Sequence, residues 1–347
     1  MEQKKSLISK IGSLYNLSNK AWLIVALIGI GIAGLTYSPT QGEGDVKGVL
    51  GCNQTPASEL KTLPDEQLKT IFSIAKIDIA RDTVNFNSNK NYIPVVNEPK
   101  FTQYSETDGC MQNEELVVVV QNAEQTKVYP SKILLSNLIV NDKIADTDVV
   151  ISYCGFCDSY QVYERKFQNE SLSFGISNYI YKNSDLLFDN KSESLWSQMS
   201  GEALSGTFTG GKLKRYPFRL MSYQQAKTEF PSAEVLSFDT GSRRDYTSNQ
   251  FKDFITSDEI PSPIFNASDK LKNKQLAIGF FLNNRAYAFT PDLMPEKINL
   301  DGRELNISKQ GGEYIVIAGE EKMRVYQAYW YVWYDFNPET VIINKQG

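Results

Sequence analysis

The chain of 347 residues contains no histidine. That single absence removes histidine-activated nucleophiles, the histidine-bearing zinc motifs and c-type haem attachment. Cysteine is scarce, with Cys52, Cys110, Cys154 and Cys157 the whole complement. No P-loop or dinucleotide glycine fingerprint occurs; GTFTGGK at 206–212 has glycines and a lysine without the spacing and reads as a hairpin turn. Beyond the first twenty residues, basic runs are missing too. The net charge is -5, and Lys4, Lys5, Lys10 and Lys20 against Glu2 make the first twenty residues positive, so the remainder is about -8. An acidic remainder without a basic stripe argues against a nucleic-acid partner. Lys212, Lys214, Arg215 and Arg219 form the one basic cluster and read as a solvated strand face.

What is present begins with an uncharged run, AWLIVALIGIGIAGLTY at 21–37. Its length reaches the low end of a bilayer span and predicts a single transmembrane helix. The lysines precede it while Glu43 and Asp45 follow, which places the N-terminus in the cytoplasm and the bulk of the chain outside, periplasmic or at the cell surface. Leu7, Ile8, Ile11, Leu14 and Tyr15 at helical spacing make residues 1–20 a basic amphipathic lead. The long lead and the lack of a small-x-small site favour an uncleaved anchor over a signal peptide. Residues 38–63 read as a linker, and 64–347 as the exported domain. With all four cysteines exported, a Cys52–Cys110 disulfide would staple linker to domain.

PDEQLKTIFSIAKI at 64–77 predicts a short helix, after which the chain turns β-rich. LVVVVQNAEQTKVYP at 116–130 has the form of a hairpin, and LAIGFFLNNRAYAFT at 276–290 repeats that form about 160 residues later. Each is followed by a turn segment, which suggests two related halves, 90–261 and 262–347. YQQAKTEFPS at 223–232 predicts a short helix. YQAYWYVWYDF at 326–336 alternates large residues on both faces and predicts a central strand, either core or an aromatic groove. The fold class expected is α+β, dominated by β.

YCGFC at 153–157 is the most informative motif. Cys154 and Cys157 suit a small disulfide, thiol exchange or a soft metal. Two thiolates fit copper(I) better than zinc, which wants four donors. DSYQVYERKF at 158–167 alternates like a strand, so no helix dipole lowers a thiol pKa, and Asp158 would raise it. Gly155 permits a tight turn, which leaves a purely structural pair equally open.

Several blocks together resemble a known exported prokaryotic family, catalogued as domain of unknown function 3179. They are IPVVNEPKF at 93–101, YPSKIL at 129–134, IVND at 139–142, YCGFC, FGISNYIYKNSDLLFD at 174–189, LWSQMSGEALSG at 195–206 and RRDY at 243–246, in the expected order over about 90–345. The resemblance implies an envelope protein of β-rich fold and no established reaction. It also implies histidines where this chain has Asn137 and, between Phe336 and Pro338, Asn337. Any Cys₂His₂-like site would lack its imidazole half here.

Asp185, Asp189, Trp196 and Gln198, with Arg244 and Asp245, lie in these blocks. As a polar pocket, Asp185 would act as acceptor or base and Arg244 as anion clamp; as plain structure, the aspartates would sit in turns and Trp196 in the core. The leading expectation is an envelope protein handling thiols or copper at Cys154 and Cys157, with Tyr153 and Asn137 as neighbours and another envelope protein as partner. The alternative is a non-catalytic binding or scaffold domain with a structural disulfide.

Overall fold

The structure is a computed structural model that describes residues 93–242 and 244–345, together with the strand Val84–Phe86. The lead 1–20, the span 21–37, the linker 38–63, the helix at 64–77 and Cys52 lie outside the described residues. Among the described residues, no helix is long and apolar enough to cross a membrane.

Among the described residues the fold is β-dominated α+β, with five sheets of three to five strands in a propeller-like ring and one two-stranded ribbon. Two of these sheets repeat one plan. In the first motif, Leu116–Gln121 and Thr126–Pro130 form a hairpin; Arg219–Ser222 adds antiparallel to its first strand and Glu234–Leu236 adds parallel to its second. In the second motif, Leu276–Leu282 and Arg285–Phe289 form the hairpin, Val325–Tyr329 adds antiparallel to the first strand and Val341–Ile342 parallel to the second. Both hairpins arise from β-branched and aromatic runs broken by asparagine. Asn122 accepts from the amides of Glu124 and Gln125 in the first turn, while Asn283 and Asn284 take the left-handed φ values of 49° and 61° in the second.

The register agrees as well. Val119 opposite Val128 corresponds to Gly279 opposite Ala288, and Ser222 opposite Leu116 to Tyr329 opposite Leu276. In each motif the outer strand runs directly into a seven-residue helix, Tyr223–Glu229 or Trp330–Phe336. The amides that open the helices find matching partners: Tyr223 donates to Glu115 O (2.8 Å) and Gln224 to Asn113 O (3.0 Å), as Trp330 donates to Gln275 O (2.9 Å) and Tyr331 to Asn273 O (3.0 Å). Both helices stop before a proline, Pro231 or Pro338, which cannot continue them.

The helix Trp330–Phe336 corrects the strand expected over 326–336. The strand ends at Tyr329, whose extended backbone caps the helix. Every position from 329 to 334 is large and apolar, so alternation and helical spacing are both satisfied there and neither period is diagnostic. The backbone partners before the segment decide for helix.

The motifs also exchange contacts. The sheet formed by Ile139–Ile144, Thr147–Cys154 and Ser159–Glu164 belongs to the first half, yet Cys157 O accepts from Tyr329 N–H (2.7 Å) at the second motif's helix. The hairpin Arg303–Gln310 and Glu313–Ala318 belongs to the second half, and Gly311 O accepts from Ser222 N–H (2.6 Å) at the first motif's helix. Each half thus caps the other's helix.

Candidate functional site

YCGFC closes the hairpin Thr147–Cys154/Ser159–Glu164. Gly155 is required because a Cβ there would overlap the Phe251 ring, and Asp158 completes the turn at φ 48°. Cys154 and Cys157 are disulfide-bonded, with Cα atoms 5.2 Å apart, and both are 0% exposed. Tyr329, Tyr331 and Val332 cover them from the Trp330 helix, and Phe254, Ile260 and Ile264 pack around the edge. Tyr331 donates its hydroxyl to Phe156 O, so two turn carbonyls, those of Phe156 and Cys157, are tied to the same helix. Cys110 is likewise disulfide-bonded; the expected Cys52–Cys110 pair falls on Cys52, outside the described residues.

Beneath the turn, Tyr153 donates to Asp158 Oδ1 (3.2 Å) and Gln327 Nε2 donates to Asp158 Oδ2 (3.3 Å). Burial raises the Asp158 pKa against the pull of these two donors. Burial, then the Asp158 charge, pushes the Tyr153 phenol well above its ordinary value. Tyr153 is therefore a neutral packing group, its ring 4.6 Å from that of Tyr160.

The remaining predicted residues do not converge on the sulfurs as one pocket. Asn137 is fully buried at the end of the helix Ser131–Asn137, where it donates to Pro94 O (2.6 Å) and Ser242 Oγ (3.0 Å) and accepts from Tyr246 (3.0 Å). It is a satisfied cross-link between two of the sequence blocks, 93–101 and 243–246. Arg244 Nε donates to Ser136 O (3.1 Å) in the same junction, and Asp245 accepts from the Thr247 amide (2.8 Å) in an exposed turn. Neither faces an open clamp. Asp189 organises a turn through Ser192 and accepts from Trp196 Nε1 (2.9 Å), and Trp196 is wholly buried in the core. Asn337 ends the Trp330 helix by donating to Trp333 O (3.0 Å).

Asp185 and Gln198 do approach the cysteine hairpin. Gln198 Nε2 donates to Ser152 Oγ (3.3 Å) and Ser159 O (3.2 Å), while its Oε1 is buried without a partner. Gln198 N–H donates to Asp185 O (3.0 Å). The Asp185 side chain is buried, and desolvation lifts its pKa to about 7. Among the described residues, no group of three or more cysteine, aspartate or glutamate side chains is placed to hold a metal ion. The covering residues Tyr329 and Tyr331 were not singled out from sequence as neighbours of the cysteines; their alignment with Ser222 and Gln224 is the signal that would have marked them as helix-opening positions.

The family model described as "Protein of unknown function (DUF3179)" matches residues 90–321, and the chain belongs to that family. No curated protein and no solved structure matches the chain.

Proposed function

We propose that this protein is a membrane-anchored, extracytoplasmic binding or scaffold domain in which the Cys154–Cys157 disulfide braces the junction between two related halves. The observation that carries this reading is the complete burial of both bonded sulfurs beneath the Trp330 helix. A thiolate attacks a disulfide by reaching one sulfur, and here every approach is covered by side chains. The anchor rests on the lysine-flanked apolar run at 21–37, and the oxidised pair agrees with an exported location. The matching connectivity and register of the two motifs support descent of the halves 90–261 and 262–347 from one duplicated unit.

The second reading, thiol or copper handling, is favoured by one observation: Asp185, a buried carboxyl with a pKa near neutrality, lies close to the hairpin that carries the cysteines. Both readings are tested on the full chain by intact mass, with and without mild reductant and anaerobic copper(I), beside Cys154→Ser/Cys157→Ser. A brace keeps its disulfide in mild reductant and binds no copper, and the double variant loses about 2 kcal/mol, the value for so short a loop. One copper per chain that vanishes in the double variant would overturn the brace.

A further inference from the structure

The second motif carries an aromatic surface that its counterpart does without. Phe281 is 39% exposed, with its ring 5.8 Å from Tyr326 and 5.7 Å from Trp333. The equivalents of Phe281, Tyr326, Trp333 and Phe336 in the first motif are Gln121, Arg219, Ala226 and Glu229; over the buried Ala226, the other three make a polar surface closed by the Arg219–Glu229 ion pair at 2.9 Å. The same strands and helix therefore form without exposed rings. The rings of Phe281, Tyr326 and Phe336, unlike the buried Trp333, are not a requirement of the fold.

These rings wall a cleft of about 460 Å³, which is of ligand size. Among the described residues three cations line it, Lys182, Lys212 and Arg215, against Glu202 as the one acid. None of the three forms a salt bridge among the described residues. Lys182 sits 5.4 Å from the Phe336 ring and spends one hydrogen bond on Asp335 O (2.9 Å). Arg215 is not the solvated strand cation expected from sequence. It is held between Tyr163 (5.2 Å) and Tyr326 (4.9 Å), with its guanidinium anchored by Gln161 Oε1 and by Met199 O (2.6 Å). A fixed guanidinium without a carboxylate partner is pre-organised for an anion.

We propose that this cleft binds a carboxylated sugar, a hexuronate unit either free or within a glycan, with Lys182 and Arg215 on the carboxylate and Phe281 and Tyr326 against the ring. Phe281–Tyr326 and Tyr181–Phe336 meet edge to face at 84° and 82°, while Phe281–Trp333 and Tyr326–Trp333 are tilted at 47° and 37°, so none of these is a parallel pair to sandwich a flat base. One aromatic face at a time suits the C–H face of a sugar chair. The proposal rests on the reading of the chain as a binding domain and specifies its ligand.

The test is calorimetric titration of the full chain in detergent with glucuronic acid, a uronate trisaccharide, glucose and inorganic phosphate, repeated on Lys182→Gln and Phe281→Ser. Unfolding midpoints verify that both variants fold. Uronate binding below about 1 mM that weakens about tenfold in each variant supports the proposal. Tighter binding of the trisaccharide assigns a glycan, and equal binding assigns a free sugar acid. Equal binding of glucose, phosphate binding that survives both variants, or no binding of any of the four overturns it. Failure here leaves the disulfide brace standing, whereas copper uptake at the cysteines would overturn the brace irrespective of uronate.

Discussion

Comparing the two motifs shows which features the fold requires. The backbone partners of Tyr223 and Trp330 match, and so do the register of the hairpins and the bond that Ser222 or Tyr329 donates to a carbonyl of the other half. The packing beneath the helices does not match. In the first motif Val119 and Ala226 occupy the equivalent positions, and in the second Gly279 and Trp333 do. A Cβ at Gly279 would overlap the Trp333 ring. Volume has moved from strand to helix with the layer kept filled, as close packing demands.

This exchange yields the largest expected effect. Trp333→Ala empties a buried site and should cost about 3–5 kcal/mol in urea unfolding. Gly279→Val overpacks it and should cost about 1–3 kcal/mol. Together they rebuild the Val/Ala pair of the first motif, so the double variant should lose less than the sum of the two by about 1 kcal/mol or more. Additive losses would break the equivalence of the motifs.

The next effect lies in the segment that has no counterpart in the second half, the strands from Phe174 to Ser205. Desolvation raises the Asp185 pKa from 3.8 to about 7. A carboxyl with a folded pKa above its unfolded one favours the fold while protonated. Its contribution is intact below about pH 4 and is lost as pH rises through about 7. Asp185→Asn should therefore flatten the decline in stability between pH 4 and 8 and raise stability at pH 8 by up to about 4 kcal/mol. A chemical-denaturation series across that range checks it, and an unchanged slope would assign the titration elsewhere.

Much of the framework was legible in the sequence. The runs at 116–130 and 276–290 form hairpins because β-branched and aromatic segments flank short polar turns. YQQAKTE forms its helix behind the cap Ser222, whose hydroxyl accepts from Gln225 N–H. The strand after YCGFC is present as Ser159–Glu164. The surroundings of the cysteines were not legible. Tyr329, Tyr331 and Ile264 come from more than a hundred residues away, and no local period reports a tertiary neighbour. Asn137 was grouped with the cysteines because the family resemblance implies a histidine there, yet its side-chain amide is consumed by Pro94, Ser242 and Tyr246. Arg215 looked solvated because charge alone does not reveal the two rings that hold it.

The smallest effect concerns the ion pairs of the first motif, where the second has rings. Arg219 bonds Glu229 on the surface and also the buried Glu313, which in turn bonds Lys322 at 2.8 Å. Burial works to raise the Glu313 pKa, but Arg219 and Lys322 together hold it below its ordinary value. Glu313 therefore carries the charge that matters in this cluster, and Glu229 lies at its half-exposed edge. Glu229→Gln should lower stability by less than about 1 kcal/mol at low salt, and the difference from the parent should shrink in 0.5 M salt. A loss of several kcal/mol that persists in high salt would mean that the Arg219–Glu229 pair holds the Tyr223 helix as firmly as Trp333 holds its counterpart.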